Sequence, residues 1–266
     1  MIIDFHTHAF PDAIAANAIA KLSHTGGNLP HYTDGTYQGL NLAAEQADID
    51  YYVVLPIAVK PNQMRTVNDA AHAKKSKRAI HFASVHPFAP DVMDEIKRIK
   101  DLGFKGVKMH PEYQDFFVDD EKVFPVYAAL AEANLISVFH AGYDLGFFGP
   151  AKASPERIKK ALPAFSGAAV IAAHMGGFAD WMNVYAHLTG LPNLYLDTSF
   201  SHNHLPPLAA MEIIKAHGAN RILFASDSPW SDMQSEKDYV DSLPLTDKEK
   251  RLIFFDNAAN LLQLNF

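Results

Sequence analysis

The sequence predicts a single-domain (β/α)8 (TIM) barrel over residues 1–266, and three observations carry that prediction. Short apolar runs alternate with longer helical patterns eight times, with no break in composition. Such alternation implies parallel strands joined by right-handed crossovers. With 266 residues, 48% hydrophobic and 20% charged, the chain is long enough for one large core, and barrels of this type use about 250 residues as a single domain. The rival architecture, an open doubly wound sheet, would be supported by a Gly-x-Gly-x-x-Gly after the first strand, and none is present.

Taken in order, the first strand is the apolar run Ile2-Ile3-Asp4-Phe5, followed by an Ala-rich helix over 12–22. A polar, Gly-containing stretch to Gly39 reads as a long loop over the barrel mouth, either a mobile lid or a connection; its length favours function. A helix over 41–49 leads to strand two (51–55), a helix over 63–75 to strand three (80–85), and Asp91 caps a helix that Gly103 ends. Strand four (104–109) is followed by a helix over 121–134 and strand five (135–139). Ser154-Pro155-Glu156 places a capping residue ahead of a proline, so a helix runs to about 162. Strand six (168–173), a helix over 178–188, strand seven (193–196), a helix over 208–217 stopped by Gly218, and strand eight (222–225) complete the alternation. Thr246 and Glu249 form a capping box that opens the last helix.

Composition narrows the function. The net charge of −7 argues against nucleic acid as a partner, and the one dense basic run, residues 74–78, reads as a solvated helix end. No cysteine is present, so disulfides and thiolate ligands are excluded. The start Met1-Ile2-Ile3-Asp4 does not resemble a secretory signal, and no apolar run approaches the roughly 20 residues of a membrane span. These features predict a cytoplasmic protein acting on a small molecule, and an apolar barrel exterior is compatible with a homodimer.

The residues that carry chemistry stand at strand ends. In His6-Thr7-His8, strand alternation sends both imidazoles to one face, about 7 Å apart along the backbone. Two neutral imidazoles so placed suit zinc or a similar ion. Three later apolar runs also end in a ligand type: 135–139 in His140, 168–173 in His174, and 221–226 in Asp227. In a barrel these ends meet at the C-terminal face, where active sites lie.

These motifs resemble the metal-dependent amidohydrolase superfamily. The resemblance rests on His6-Thr7-His8-Ala9-Phe10-Pro11, Gly106-Val107-Lys108-Met109-His110-Pro111, Ala173-His174-Met175-Gly176-Gly177 and Phe224-Ala225-Ser226-Asp227-Ser228-Pro229-Trp230. Within the superfamily the chain is most similar to the amidohydrolase-2 branch, which includes aminocarboxymuconate-semialdehyde decarboxylase and related hydrolases. The C-terminal Asp256-Asn257-Ala258-Ala259-Asn260-Leu261 is also similar, with Asn260 where an arginine is more usual. The resemblance implies that His6, His8, His140 and Asp227 hold one divalent metal, zinc or manganese, with His174 beside it. It also implies a second ion only if Lys108 serves as a bridge; otherwise Lys108 orients substrate or packs on the barrel wall. The chemistry so implied is attack of a metal-acidified water on a small carboxamide, lactone or ester. Asp227 would move the proton and His174 would steady the developing oxyanion or orient the water. The alternative is non-oxidative decarboxylation of an aromatic or unsaturated acid, which needs a cation at the mouth, either Arg65 or Lys108.

Structural readings stand beside these. His140 could satisfy a backbone carbonyl, Asp227 could cap the turn at Ser228-Pro229, and His174 could pack under Gly176-Gly177. His110 is a substrate contact or a surface histidine, while Tyr143, Phe147 and Phe148 are a substrate wall or a cap on the barrel. His86-Pro87 reads as a turn, and His202-Asn203-His204 as surface histidines. A barrel whose metal is structural and whose ligand is not turned over is the non-enzymatic alternative. Structural zinc sites are closed by four Cys or His ligands, unlike this set.

Overall fold

Parallel pairing runs in sequence order through the whole chain. The computed structural model describes residues 1–74 and 76–264. Strands β1 (Ile3–Thr7), β2 (Tyr51–Val54) and β3 (Ala79–His81) form one parallel run. A second contains β4 (Ala83–Ser84), β5 (Gly106–Met109), β6 (Ile136–Phe139), β7 (Val170–Ala172), β8 (Leu194–Asp197) and β9 (Ile222–Leu223). The third strand of the sequence reading is thus divided: β3 pairs with β2 and β4 with β5, and Phe82 between them donates its N–H to Val54 O at 3.1 Å. At the other seam Phe5 N donates to Phe224 O (2.9 Å) and Asp227 N to His6 O (2.8 Å). These bonds close a (β/α)8 barrel of eight strand positions, one of them shared by β3 and β4.

Two apolar layers follow from strand alternation. Ile3, Phe5, Val53, Leu55, Phe82, Val138, Ile171 and Leu223 form an inner cluster, and Ala258, Ala259 and Leu262 of the last helix join it. Outward residues such as Val54, Val107, Met109, Phe139, Leu194 and Leu196 pack against the helices in a larger second cluster. Gly106 is required by closeness: a Cβ there would lie 2.3 Å from the Phe82 ring and 2.6 Å from Ile136 O. Along β1 the register with β2 shifts between Asp4 and Thr7. The irregularity lets His6 follow Phe5 and still turn into the site.

The helical layer follows the sequence pattern with shifted ends. The first helix runs Asp12–Thr25, the second Tyr37–Gln46 with Thr36 as its cap, and the third Met64–Ala73. The expected end at Lys75 lies outside the described residues. Asp91 precedes the helix Val92–Asp101 without a side-chain capping bond, and Ser154 Oγ bonds Glu156 Oε2 instead of the backbone of the helix Pro155–Ala161. The Thr246–Glu249 capping box forms. Among the described residues, no helix is long and apolar enough to cross a membrane.

The helix Met233–Ser242 has no counterpart in the sequence reading, and it holds the loop after β8. Buried Glu236 accepts from Ser201 N and His202 N (both 3.1 Å) and from Ser231 Oγ (2.7 Å). Burial pushes its carboxyl up to about 8, against the lowering effect of those bonds. A raised acid stabilises the fold in its protonated form. Its contribution is complete below the ordinary value near 4.5 and is lost as pH rises through about 8. Glu236→Gln keeps one oxygen for the two backbone N–H groups and an amide for Ser231, so its stability, followed by urea unfolding, is expected to vary less between pH 5 and about 8 than the wild type's. An unchanged pH dependence would show that Glu236 does not titrate in this range.

Candidate metal centre

Barrel closure sets three side chains against one another at the C-terminal end of the strands. His6 Nε2 lies 3.2 Å from His8 Nε2 and 3.4 Å from Asp227 Oδ1, and His8 Nε2 lies 3.1 Å from the same oxygen. The far nitrogen of each imidazole is engaged elsewhere. His6 Nδ1 faces Asp197 Oδ2 at 2.9 Å, and His8 Nδ1 faces the Leu55 carbonyl at 2.8 Å. A carbonyl oxygen only accepts, so the hydrogen of His8 sits on Nδ1 and leaves the Nε2 lone pair to the shared point; Asp197 favours the same tautomer in His6. Burial, and then Lys108, hold His6 well below the ordinary histidine range. Burial alone would raise Asp227, but its contacts with His8, His6 and His174 hold it well below the usual carboxylate range. Two imidazole lone pairs and a carboxylate oxygen aimed at one point repel each other, and this donor set fits a divalent cation.

His174 borders this trio, with its ring centroid 5.3 Å from that of His6. It begins a tight turn at positive φ (57°), and its N–H donates to Asp197 Oδ1 at 3.0 Å. Ser199 Oγ sits 2.9 Å from His174 Nδ1 and donates to Asp197 Oδ1 at 2.5 Å. Asp197 therefore orients His6 through one oxygen and His174 through the other. Burial, then His140, lower His174 to about 3, so the ring is neutral. Asp197 and Ser199 are absent from the sequence reading, although Leu194-Tyr195-Leu196 ends in Asp197 as the other apolar runs end in their ligand types.

The remaining residues separate. Lys108 is buried and its Nζ lies 3.0 Å from His6 Nε2, with burial lowering it to about 8. His140 is joined to His174, Nδ1 to Nε2, at 3.0 Å. Its other nitrogen lies near the Tyr143 carbonyl (3.2 Å) and Asp144 Oδ2 (3.8 Å). The structure therefore brings three of the four expected ligands together and sets His140 in a neighbouring group. His110 is buried there, stacked on His140 at 4.3 Å and 12°, and so is not a surface histidine. The Tyr143 side chain is 46% exposed, and Phe148 is fully exposed. Arg65 Nε pairs with Glu95 at 3.5 Å, between the helices Met64–Ala73 and Val92–Asp101. His86 Nδ1 accepts from Phe88 N, as expected of a turn, and exposed His204 stacks on Phe200 at 4.5 Å.

Comparison with known proteins shows the family and the fold. The family model described as Amidohydrolase matches residues 3–264. No protein of curated function matches the sequence. Among solved structures the chain is similar to 5-carboxyvanillate decarboxylase from Sphingomonas paucimobilis, with 16% identity, a TM-score of 0.75 and 99% of each chain covered. It is similar to dihydroxybenzoic acid decarboxylase from Polaromonas, solved with manganese and 2-nitroresorcinol, with 15% identity, a TM-score of 0.71, and 100% of this chain and 97% of that one covered. A candidate 2-pyrone-4,6-dicarboxylic acid hydrolase from Pseudomonas putida matches at 14% identity and a TM-score of 0.71, covering 100% of this chain and 98% of that one. At these identities the likeness shows the barrel fold.

Asp197→Asn tests the orienting role. Loss of a partner that fixes a metal-binding imidazole weakens metal affinity by about 10- to 100-fold, and a competition titration against a chromophoric chelator is expected to show a loss of that size. Affinity equal to wild type would show that His6 is oriented without Asp197.

Proposed function

Because this chain belongs to the amidohydrolase family, we propose that it is a metal-dependent hydrolase of a small carboxamide, lactone or ester, with His6, His8 and Asp227 holding one divalent ion, zinc or manganese. The observation that supports this most directly is Asp227 Oδ1 standing 3.1 and 3.4 Å from two imidazole nitrogens whose hydrogens are directed elsewhere. A divalent ion in such a site supplies Lewis acidity and acidifies a water to near pKa 7. Asp227 takes the water's proton on the oxygen not turned to the histidines and returns it to the leaving group. Neutral His174 gives its ring hydrogen to Ser199, so its Nε2 accepts and its role is to orient the water, held in place by Ser199 and Asp197. Lys108, inside the barrel wall, contributes positive charge on the same side.

Decarboxylation of an aromatic or unsaturated acid is the second reading. It is favoured by the buried Lys108, a cation placed to hold an acid group, and by the likeness to the two decarboxylases. Paired assays separate the two: chelator-sensitive hydrolysis of an amide, lactone or ester panel supports the first, and release of carbon dioxide from an aromatic acid transfers the assignment to the second.

Three variants test the machinery common to both readings. His6→Ala or His8→Ala is expected to bring metal content well below one equivalent by elemental analysis, and full retention would remove these residues as ligands. Asp227→Asn cannot take a proton and is expected to lose about 100-fold or more in turnover with little change in circular dichroism. Near-normal activity would exclude Asp227 as the base.

A further inference from the structure

The loop that follows β6 is tied at its neck and nearly free beyond it. Gly142 N donates to Ala153 O (2.9 Å), which brings the two ends of the loop together, and Tyr143 N donates to Phe178 O (3.0 Å) beside them. The neck has no room to shift: a Cβ on Gly142, at φ 83°, would lie 2.2 Å from Phe178 N. Residues 144–151 bulge from it as a compact loop whose ends lie close together. Among the described residues, no backbone hydrogen bond ties 144–151 to another element. Asp144 instead accepts from within the loop, from Gly146 N through Oδ1 (2.7 Å) and from Phe147 N through its carbonyl (3.2 Å).

Two contacts hold the tip. Phe147 meets the Tyr113 ring edge-on, with centroids 4.9 Å apart. Gly146 lies against Thr25, so closely that a Cβ on it would stand 2.8 Å from Thr25 Cγ2. Tyr113 belongs to the segment after β5, while Thr25 ends the helix Asp12–Thr25 that follows β1. β1 and β6 hold the first and fifth of the eight strand positions, which face each other across a barrel. The loop therefore reaches from one side of the mouth to a segment that belongs to the other. Asp144, at its start, turns Oδ2 toward His110 Nε2 at 3.4 Å. From these contacts we propose that residues 144–151 are a flap over the barrel mouth, closed in this structure and opened when Phe147 leaves Tyr113 and Gly146 leaves Thr25.

A flap needs a fixed base and a tip that releases easily, and both are present. The base carries backbone hydrogen bonds, while the tip is held by van der Waals contact, the kind of segment that opens locally at low free energy. Leu145 is 49% exposed and Phe148 fully exposed, so closure is not held by an apolar core of the loop's own. Gly149, at φ 111° with nothing near the position of a Cβ, is a point that can take up a change of backbone angles as the tip lifts. Closure of such a loop shuts water out of a barrel mouth, and its opening passes substrate and product. The flap is independent of which reaction the centre performs.

The chain contains no cysteine, so introduced thiols report alone. Nitroxide labels on Lys21→Cys and Leu145→Cys, both at exposed positions, are expected to give two distances by pulsed electron resonance in metal-free protein. The shorter belongs to the closed flap and the longer to the open one, and Phe147→Ala is expected to shift the population toward the longer. The pair Thr25→Cys and Gly146→Cys locks the flap. Gly146 lies outside the left-handed region, and the two β-carbons fall in the range of about 3.5–4.5 Å that a disulfide spans. With the disulfide formed, transfer of bound Zn2+ to a chelator is expected to be at least about 10-fold slower than in the same protein reduced. A single narrow distance that Phe147→Ala leaves unchanged overturns the proposal. So does a pair that does not oxidise, or a transfer rate that a disulfide confirmed by mass leaves unaltered. Protein that holds no zinc at all is a failure of the His6–His8–Asp227 reading, and the label distances then decide the flap without it.

Discussion

The contact between the first and last strands is the constraint on which the site depends. His6 and Asp227 are 221 positions apart in the chain, yet Asp227 N donates to His6 O and Phe5 N to Phe224 O. The buried carboxyl of Asp4 strengthens the seam, accepting from His6 N (3.0 Å), Ser226 N (3.0 Å) and Ser226 Oγ (2.5 Å). Desolvation pushes Asp4 up to about 7 despite these bonds, a sign of how little water reaches the seam. A slip of one residue at this closure would turn the Asp227 side chain away from both histidines. The fold and the candidate metal centre are thus held by the same hydrogen bonds.

Electrostatics then explains why the centre is ready for a cation. His6, His110 and His174 are buried close together and lowered by desolvation, so they present lone pairs rather than charge. Each buried lone pair without a proton donor is a cost to the fold. Asp197 reduces that cost by serving His6, His174 and Ser199 at once. Lys108 offsets part of it by placing its Nζ against His6. A divalent ion would satisfy the rest, with its charge balanced by Asp227. Networks of this kind are strong when complete and costly when partial.

Much of this was legible in the sequence, and the exceptions have physical causes. Strand order and the alignment of His6, His8 and Asp227 follow from apolar runs that end in polar residues, a pattern fixed by the barrel itself. The break at Phe82 was hidden because a continuous apolar run looks the same whether its ladder is whole or interrupted. The helix Met233–Ser242 was missed because its sequence is polar and its buried face includes Glu236, an acid that hydrophobic patterning counts as surface. The orientation of His140 was beyond reach for a different reason. Alternation tells which face a residue occupies but not which ring nitrogen looks where, and Asp144 and His110 settle that through contacts between separate loops.

The loops around the mouth differ in how they are tied, and this bears on selectivity. The stretch before the second helix is pinned at several points: Leu29 N donates to Ser23 O, Tyr32 N to Pro229 O and Phe10 N to Gly35 O. Its attachment to Pro229, two residues from Asp227, couples it to the metal centre, so displacement of this stretch would strain the site itself. The loop after β6 is anchored at its base, where Gly142 meets Ala153 and Phe178, while Tyr143, Leu145 and Phe148 beyond it are largely exposed. Apolar side chains there can be covered by a bound molecule without disturbing a ligand atom. Tyr143, Leu145 and Phe148 thus leave an apolar surface standing on a firmly anchored base.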